Sequence, residues 1–348
     1  MIPSVIAGPY LADLLAQPAA LRALRISLTG RPLGGEVAGR LRAGHFRRVV
    51  LTGMGSSLHA LYPLHLRLSE LGLASSLVET SELLLGFGPY RARDTLLVAV
   101  SQSGESAEIV SLVKNAAAFG HLIAITNNPA STLGRTAGTV LPLNAGPERT
   151  VSCKTYINTL ALLHWLAAAL TDGDTAAAIA ELAAIEEPLR TYLDRTEDHV
   201  AALGEIVAGV RSVFVTGRGV SLATAWTGGL ILKEATRQHA EGMSCAAFRH
   251  GPLEMIGDEV LVLVLAGDAR VEPLHRRLAA EIIRGGGRAA LIATTQATAD
   301  VFQLPSVPVP LLPLVEILPV QMLSLALAAR DGREAGRFER ATKITTAE

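Results

Sequence analysis

The sequence predicts an α/β protein of two Rossmann-like, flavodoxin-like halves, each a parallel sheet flanked by helices in three layers, and three observations carry that prediction. Short hydrophobic runs alternate with helix-like segments, the grammar of parallel strands joined by crossover helices. The runs are apolar without interruption rather than at every second residue, so both faces of each sheet are covered. The pattern also occurs twice: TGMGSSL at 52–58 returns as TGRGVSL at 216–222, and LIAIT at 122–126 returns as LIATT at 291–295.

Taken in order, the first 47 residues read as helices, with leucines at helical spacing in LADLLAQPAALRALRISL. Five strand-like runs follow, RRVVLTG (47–53), SSLVE (75–79), DTLLVAV (94–100), HLIAIT (121–126) and GTVLPL (138–143). Alanine-rich helices run from about Lys154 to Leu203, and three more strand-like runs come after them, RSVFVTG (211–217), EVLVLVLAG (259–267) and RAALIATT (288–295). This gives an N-terminal helical segment (1–36), a first α/β domain (37–195), a second (196–335) and a C-terminal tail (336–348). A chain of 348 residues is long for one core and suits two.

Composition narrows the function. A net charge of −1 without a Lys/Arg cluster gives no field to gather a polyanion, so nucleic acid is not an expected partner. Cys153 and Cys245 are too few and too far apart for a disulfide framework or a metal knuckle. The histidines show no metal-ligand spacing, so neither a metal nor another cofactor is expected, and a reducing cytoplasm is the expected compartment. The N-terminus lacks a signal-peptide pattern, and the longest apolar stretches (155–170 and 311–329) carry Asn158, His164 and Glu316, so they read as core helices rather than membrane spans. Of 31 basic residues only four are lysines, at 114, 154, 233 and 343, which reads either as places where an amine is wanted over a guanidinium or as a chance remainder of an arginine bias.

In an open parallel sheet, ligands sit beyond the carboxyl ends of the strands, where helix N-termini begin. Both TGMGSS and SQSGES stand there, with glycines for close backbone approach and the hydroxyls of Ser56, Ser57, Ser101, Ser103 and Ser106, beside the amide of Gln102, as donors. Together they suit a phosphate monoester. The dinucleotide fingerprint is incomplete in TGMGSSLHA, and no P-loop lysine follows either segment. Read singly, each serine is equally an ordinary N-cap.

SQSGES, with LKEATRQHAEGMSCAAFRHGPLEMI (232–256) and the terminal TKITTAE, resembles the SIS (sugar isomerase) family, and within it the double-SIS isomerase part of glucosamine-6-phosphate synthase and the SIS-type glucosamine-6-phosphate deaminases. The resemblance runs from about residue 10 to the C-terminus. It implies that Ser57, Ser101, Gln102, Ser103 and Ser106 cradle the phosphate and that Ser152, in VSCKT, reaches the sugar hydroxyls. It further implies that Glu234 moves a proton between C1 and C2, and that His250, supplied by the neighbouring subunit of a homodimer, opens the ring. Lys343 then lies on a tail that closes over the open-chain sugar.

Those residue types suit the chemistry. Interconversion of an aldose and a ketose phosphate needs ring opening and then removal of a proton next to a carbonyl. A carboxylate serves the second step and an imidazole, which titrates near neutrality, the first. A lysine amine polarises the carbonyl or forms a Schiff base with it. On the residues alone the plainer readings stay open: Glu234 as a solvated neighbour of Lys233, His250 as an exposed turn histidine, Lys343 as a tail lysine. Departures from the synthase pattern are Ile231, where that pattern has a lysine, Arg340 without a proline before the tail lysine, and too little sequence before the first strand for a glutaminase domain. The expected activity is isomerisation of a hexose or amino-hexose 6-phosphate coupled to loss of ammonia. An aminotransferase or deglycase reaction and a non-catalytic sugar-phosphate sensor are the alternatives.

Overall fold

A computed structural model describes residues 6–33 and 35–345, which divide into two compact units. The first comprises residues 19–148, 153–186 and 340–345 among those described, and the second 6–18, 149–152 and 187–339.

The first unit is built on β1 (Arg48–Gly53), β2 (Ser75–Glu79), β3 (Thr95–Val100), β4 (His121–Thr126) and β5 (Thr139–Pro142). All pairs are parallel, in the order β2-β1-β3-β4-β5. This is the doubly wound order in which the strand order reverses between β1 and β3, opening a crevice beyond their carboxyl ends. Every residue of β3 is buried, which accounts for the unbroken apolar run TLLVAV. The helix Lys154–Leu170 is buried along nearly its whole length.

The second unit repeats the plan with β6 (Ser212–Gly217), β7 (His239–Ser244), β8 (Val260–Leu265) and β9 (Arg288–Ile292), again parallel, in the order β7-β6-β8-β9. Of these, β7 is absent from the sequence reading. HAEGMS holds no β-branched residue, and as an edge strand it is half-exposed along most of its length, so neither propensity nor hydrophobicity marks it. Its place is fixed instead by the helix Ser221–Thr236 lying directly on it. A Cβ on Gly229 would stand 2.5 Å from the Gly242 amide nitrogen, so only glycine permits the approach. Arg237, at φ 60°, ends that helix in the left-handed conformation.

The helix Leu312–Arg330 is long and apolar enough to cross a membrane, yet Leu312 to Ala328 are all buried. Its polar residues have protein partners: Gln321 with Gln17 (3.0 Å), Ser324 with Tyr10 (3.2 Å) and Glu316 with Ser221 (2.9 Å). A span facing lipid would leave such groups unmatched; here they lock a core helix in register.

Candidate functional site

At the crevice of the first unit, β3 ends in Val100 and the chain turns through Ser101-Gln102-Ser103-Gly104-Glu105-Ser106. Local hydrogen bonds shape this loop. Ser101 Oγ accepts from the Gly104 amide (3.1 Å), Ser103 Oγ accepts from the Glu105 amide (3.2 Å), and the Gln102 carbonyl accepts from the Asn127 amide (3.0 Å). Gly104 has φ 67°, and a Cβ there would lie 2.0 Å from Ser131 Oγ, so no other residue fits.

Glu105 turns away from the crevice and accepts from Thr132 N–H (2.6 Å) and Thr132 Oγ1 (2.8 Å), bonds that hold its carboxyl below the usual carboxylate range. The loop is thus clamped to the start of the helix Thr132–Thr136 and leaves the crevice free of its one acid.

The serine hydroxyls are not consumed by capping. Ser106 is the N-cap of the helix Ala107–Val113 yet makes no side-chain capping bond, and Ser56, first residue of the helix Ser56–Ala60, follows a glycine cap. The hydroxyls of Ser56, Ser57 and Ser106 donate to no described residue, although Ser56 is buried. Unspent donors at two adjacent strand ends are what an anionic oxygen cluster needs.

The tail belongs to the same unit. The Thr345 carbonyl accepts from the Ala107 amide (3.1 Å), the first helical N–H after the serine loop, and Lys343 Nζ donates to Glu148 Oε2 (2.8 Å). Glu148 is a residue the sequence reading missed. Its side chain is wholly buried, Oε1 accepts from the Cys153 (2.9 Å) and Thr155 (3.0 Å) amides, and Oε2 accepts from Thr155 Oγ1 (2.7 Å) as well as Lys343. Burial alone would push this carboxyl up, but the Lys343 ammonium and the Thr155 bonds outweigh it and hold the group below its ordinary range. Lys154, buried at the head of the next helix, donates to the Pro147 carbonyl (2.5 Å). Three polar side chains, Glu148, Lys154 and Lys343, therefore converge on one turn. The signal for the two lysines was their retention in a chain where arginine is the rule; nothing in the sequence singled out Glu148.

The remaining sequence-predicted residues lie in the second unit. Glu234 is half-buried near the end of the helix Ser221–Thr236, His250 is exposed just after the helix Cys245–Arg249, and Ser152 is half-buried in the short segment 149–152. Lys233 pairs with Glu241 on β7 (3.9 Å). Ile231, where the synthase pattern has a lysine, is fully buried. Ser56, Ser57, Ser101, Gln102, Ser103, Ser106 and Lys343 thus share one unit, while Glu234, His250 and Ser152 share the other. Among the described residues no group of His, Cys, Asp and Glu could hold a metal ion.

Comparison with known proteins follows the two halves. A model of the SIS domain matches residues 45–169 and again 206–329. A glutamine–fructose-6-phosphate aminotransferase (isomerizing) of Pyrococcus horikoshii is 31% identical over 313 residues, covering 87% of this chain and 52% of the relative; the chain spans about half the length of the curated relatives it matches. In fold it is similar to the C-terminal domain of glucosamine-fructose-6-phosphate aminotransferase from Francisella tularensis, at 20% identity and a TM-score of 0.83 over 95% of this chain and 98% of that one. It is also similar to glucosamine-6-phosphate deaminase from Thermotoga maritima, at 16% identity and a TM-score of 0.78 over 98% of this chain and 100% of that one.

Proposed function

The chain belongs to the SIS domain family, and from that premise we propose that it is an enzyme acting on an amino-hexose 6-phosphate, joining aldose–ketose isomerisation to release of ammonia. The observation that carries the reading is the set of unspent serine hydroxyls around the β1–β3 crevice, with an amine-bearing tail laid against the same loop.

In this reading Ser56, Ser57, Ser101, Gln102, Ser103 and Ser106 hold the phosphate, and Ser152 holds a sugar hydroxyl. His250 gives a proton to the ring oxygen as the ring opens; its exposure on this chain suits a group that serves the site of a second copy in a homodimer. Glu234 removes the proton from C2, and after exchange with solvent a proton is delivered to C1, which leaves an imine at C2 that water hydrolyses to ketose phosphate and ammonia.

Lys343 Nζ is engaged as a hydrogen-bond donor to Glu148 Oε2 (2.8 Å). It serves the open-chain sugar first as a hydrogen-bond donor to the developing oxyanion, while a Schiff base would require Glu148 to take its proton. The Pyrococcus relative's name, an isomerizing aminotransferase, and the Thermotoga neighbour's, a deaminase, support the same chemistry of an amino group at C2 run in opposite directions.

The test is a panel of hexose and amino-hexose 6-phosphates offered to the purified protein, with ammonia and ketose phosphate measured separately. Equal amounts of both from one amino sugar fit the proposal. Ketose without ammonia from a neutral sugar phosphate would mark a plain isomerase, and tight binding with neither product a sensor.

A further inference from the structure

In the second unit the strand order also reverses between β6 and β8, the place where open parallel sheets take ligands, and the polar groups there are unlike those of the first unit. The internal repeat aligns Arg218 of TGRGVS with Met54 of TGMGSS. Arg218 is half-buried, its guanidinium makes no hydrogen bond to any described residue, and its Nε is sealed from solvent without a partner. His275, on the helix Glu272–Arg284 that follows β8, is 1% exposed, and neither ring nitrogen has a partner. Arg218 directly follows β6 and His275 lies in the first turn of the helix that follows β8, the two strands between which the sheet order reverses; burial and then the field of Arg218 push the imidazole down to about 4.

The charges around them decide what the crevice favours. Asp268, just past β8, is neutralised by Arg270, whose Nε and Nη2 reach it at 2.7 to 3.1 Å. Glu272 is paired with Arg276. Glu316, on the helix Leu312–Arg330, gives one oxygen to Ser221 Oγ (2.9 Å), and burial pushes its carboxyl up to about 7, so near neutrality it holds a proton much of the time. What remains uncompensated is the positive charge of Arg218.

We propose that the β6–β8 crevice is a second ligand site, in which Arg218 and His275 bind the oxyanion group, phosphoryl or carboxylate, of a small metabolite distinct from the sugar phosphate of the first unit. Three observations carry it. An unpaired guanidinium matches a planar or tetrahedral oxyanion bidentately, a fully buried imidazole with both nitrogens unmatched is a costly arrangement unless something completes it, and both stand at the switch point of an open parallel sheet.

The test follows the histidine signals of ¹⁵N-histidine-labelled protein by NMR while inorganic phosphate or, separately, acetate is added. His275, assigned with His275→Asn, is expected to shift in the wild type and equally in the Ser101→Ala/Ser103→Ala variant, which lacks the first cradle. Arg218→Met, which installs the residue of the first repeat on a half-exposed position, is expected to weaken that response about 10- to 100-fold, the loss of one charge-assisted bidentate contact, and Arg218→Lys to restore part of it. Phosphate acting without acetate, or the reverse, names the class. A His275 signal that responds to neither anion, or that responds alike in wild type and Arg218→Met, would overturn the proposal.

Discussion

Replacing Glu148 by glutamine tests the docking of the tail with little other disturbance. In the wild type Oε1 holds the Cys153 and Thr155 amides, while Oε2 holds Thr155 Oγ1 and Lys343 Nζ. Glutamine keeps a carbonyl oxygen for the two amides, and the Thr155 hydroxyl turns to accept from the new NH₂ group. The Lys343 ammonium alone is left facing a donor. A hydrogen bond to a charged partner contributes about 1.5–3 kcal/mol, and because Lys343 is 23% exposed the lower end applies. About 1.5 kcal/mol is a factor of roughly ten in the docking equilibrium.

The readout is hydrogen exchange at the Ala107 amide, which the Thr345 carbonyl covers. Exchange there should accelerate about tenfold in Glu148→Gln, while the Ser101 amide, bonded to the Ile125 carbonyl across the sheet, should not change. Unchanged exchange at Ala107 would show that the Lys343–Glu148 pair does not hold the tail, and the reasoning would fail.

Three further expectations follow from the same geometry. Gly104→Ala puts a Cβ 2.0 Å from Ser131 Oγ at a φ of 67°, so urea unfolding should show a loss of about 1–3 kcal/mol and phosphate-ester affinity should fall with it; a neutral effect would mean the loop relaxes freely. Glu316 binds its proton more tightly in the folded chain than in the unfolded one, so its contribution to stability is full at acid pH and is lost between pH 4.5 and about 7, by about 3 kcal/mol. Urea unfolding of Glu316→Gln should lack that part of the pH dependence, so its advantage over the wild type should grow from pH 5 to pH 8. If His250 serves a neighbouring chain, mixing Glu234→Gln with His250→Ala subunits should restore part of the activity that neither has alone, and confirmed subunit exchange without recovery would place both groups in one chain's site.

The sheet was legible in the sequence wherever strands are buried on both faces, because burial writes itself as an unbroken apolar run; TLLVAV and VLVLVL are unmistakable. The edge strand β7 was not, since its position depends on close packing at Gly229 and Gly242 rather than on its own side chains. The turn after β3 was legible because the three hydroxyls and the amide of SQSGES follow directly on a buried strand and have no role in a core. Glu148 could not: a lone acid beside a turn ordinarily faces water, and its burial comes from the Cys153 and Thr155 amides and the tail, whose meeting depends on residues 195 apart in sequence. Arg218 was legible only as a departure within the repeat, and the unpaired state that gives it meaning exists only in three dimensions.

Proton transfer at C2 is the central claim, and proton exchange in D₂O measures it directly. An amino-hexose 6-phosphate incubated with the protein in D₂O and followed by ¹H NMR should lose its H2 signal, because the proton that Glu234 takes from C2 mixes with solvent before a proton is returned to C1. Glu234→Gln should retain H2 while still binding the sugar phosphate. Persistence of H2 in the wild type, with the ligand demonstrably bound, would contradict the account.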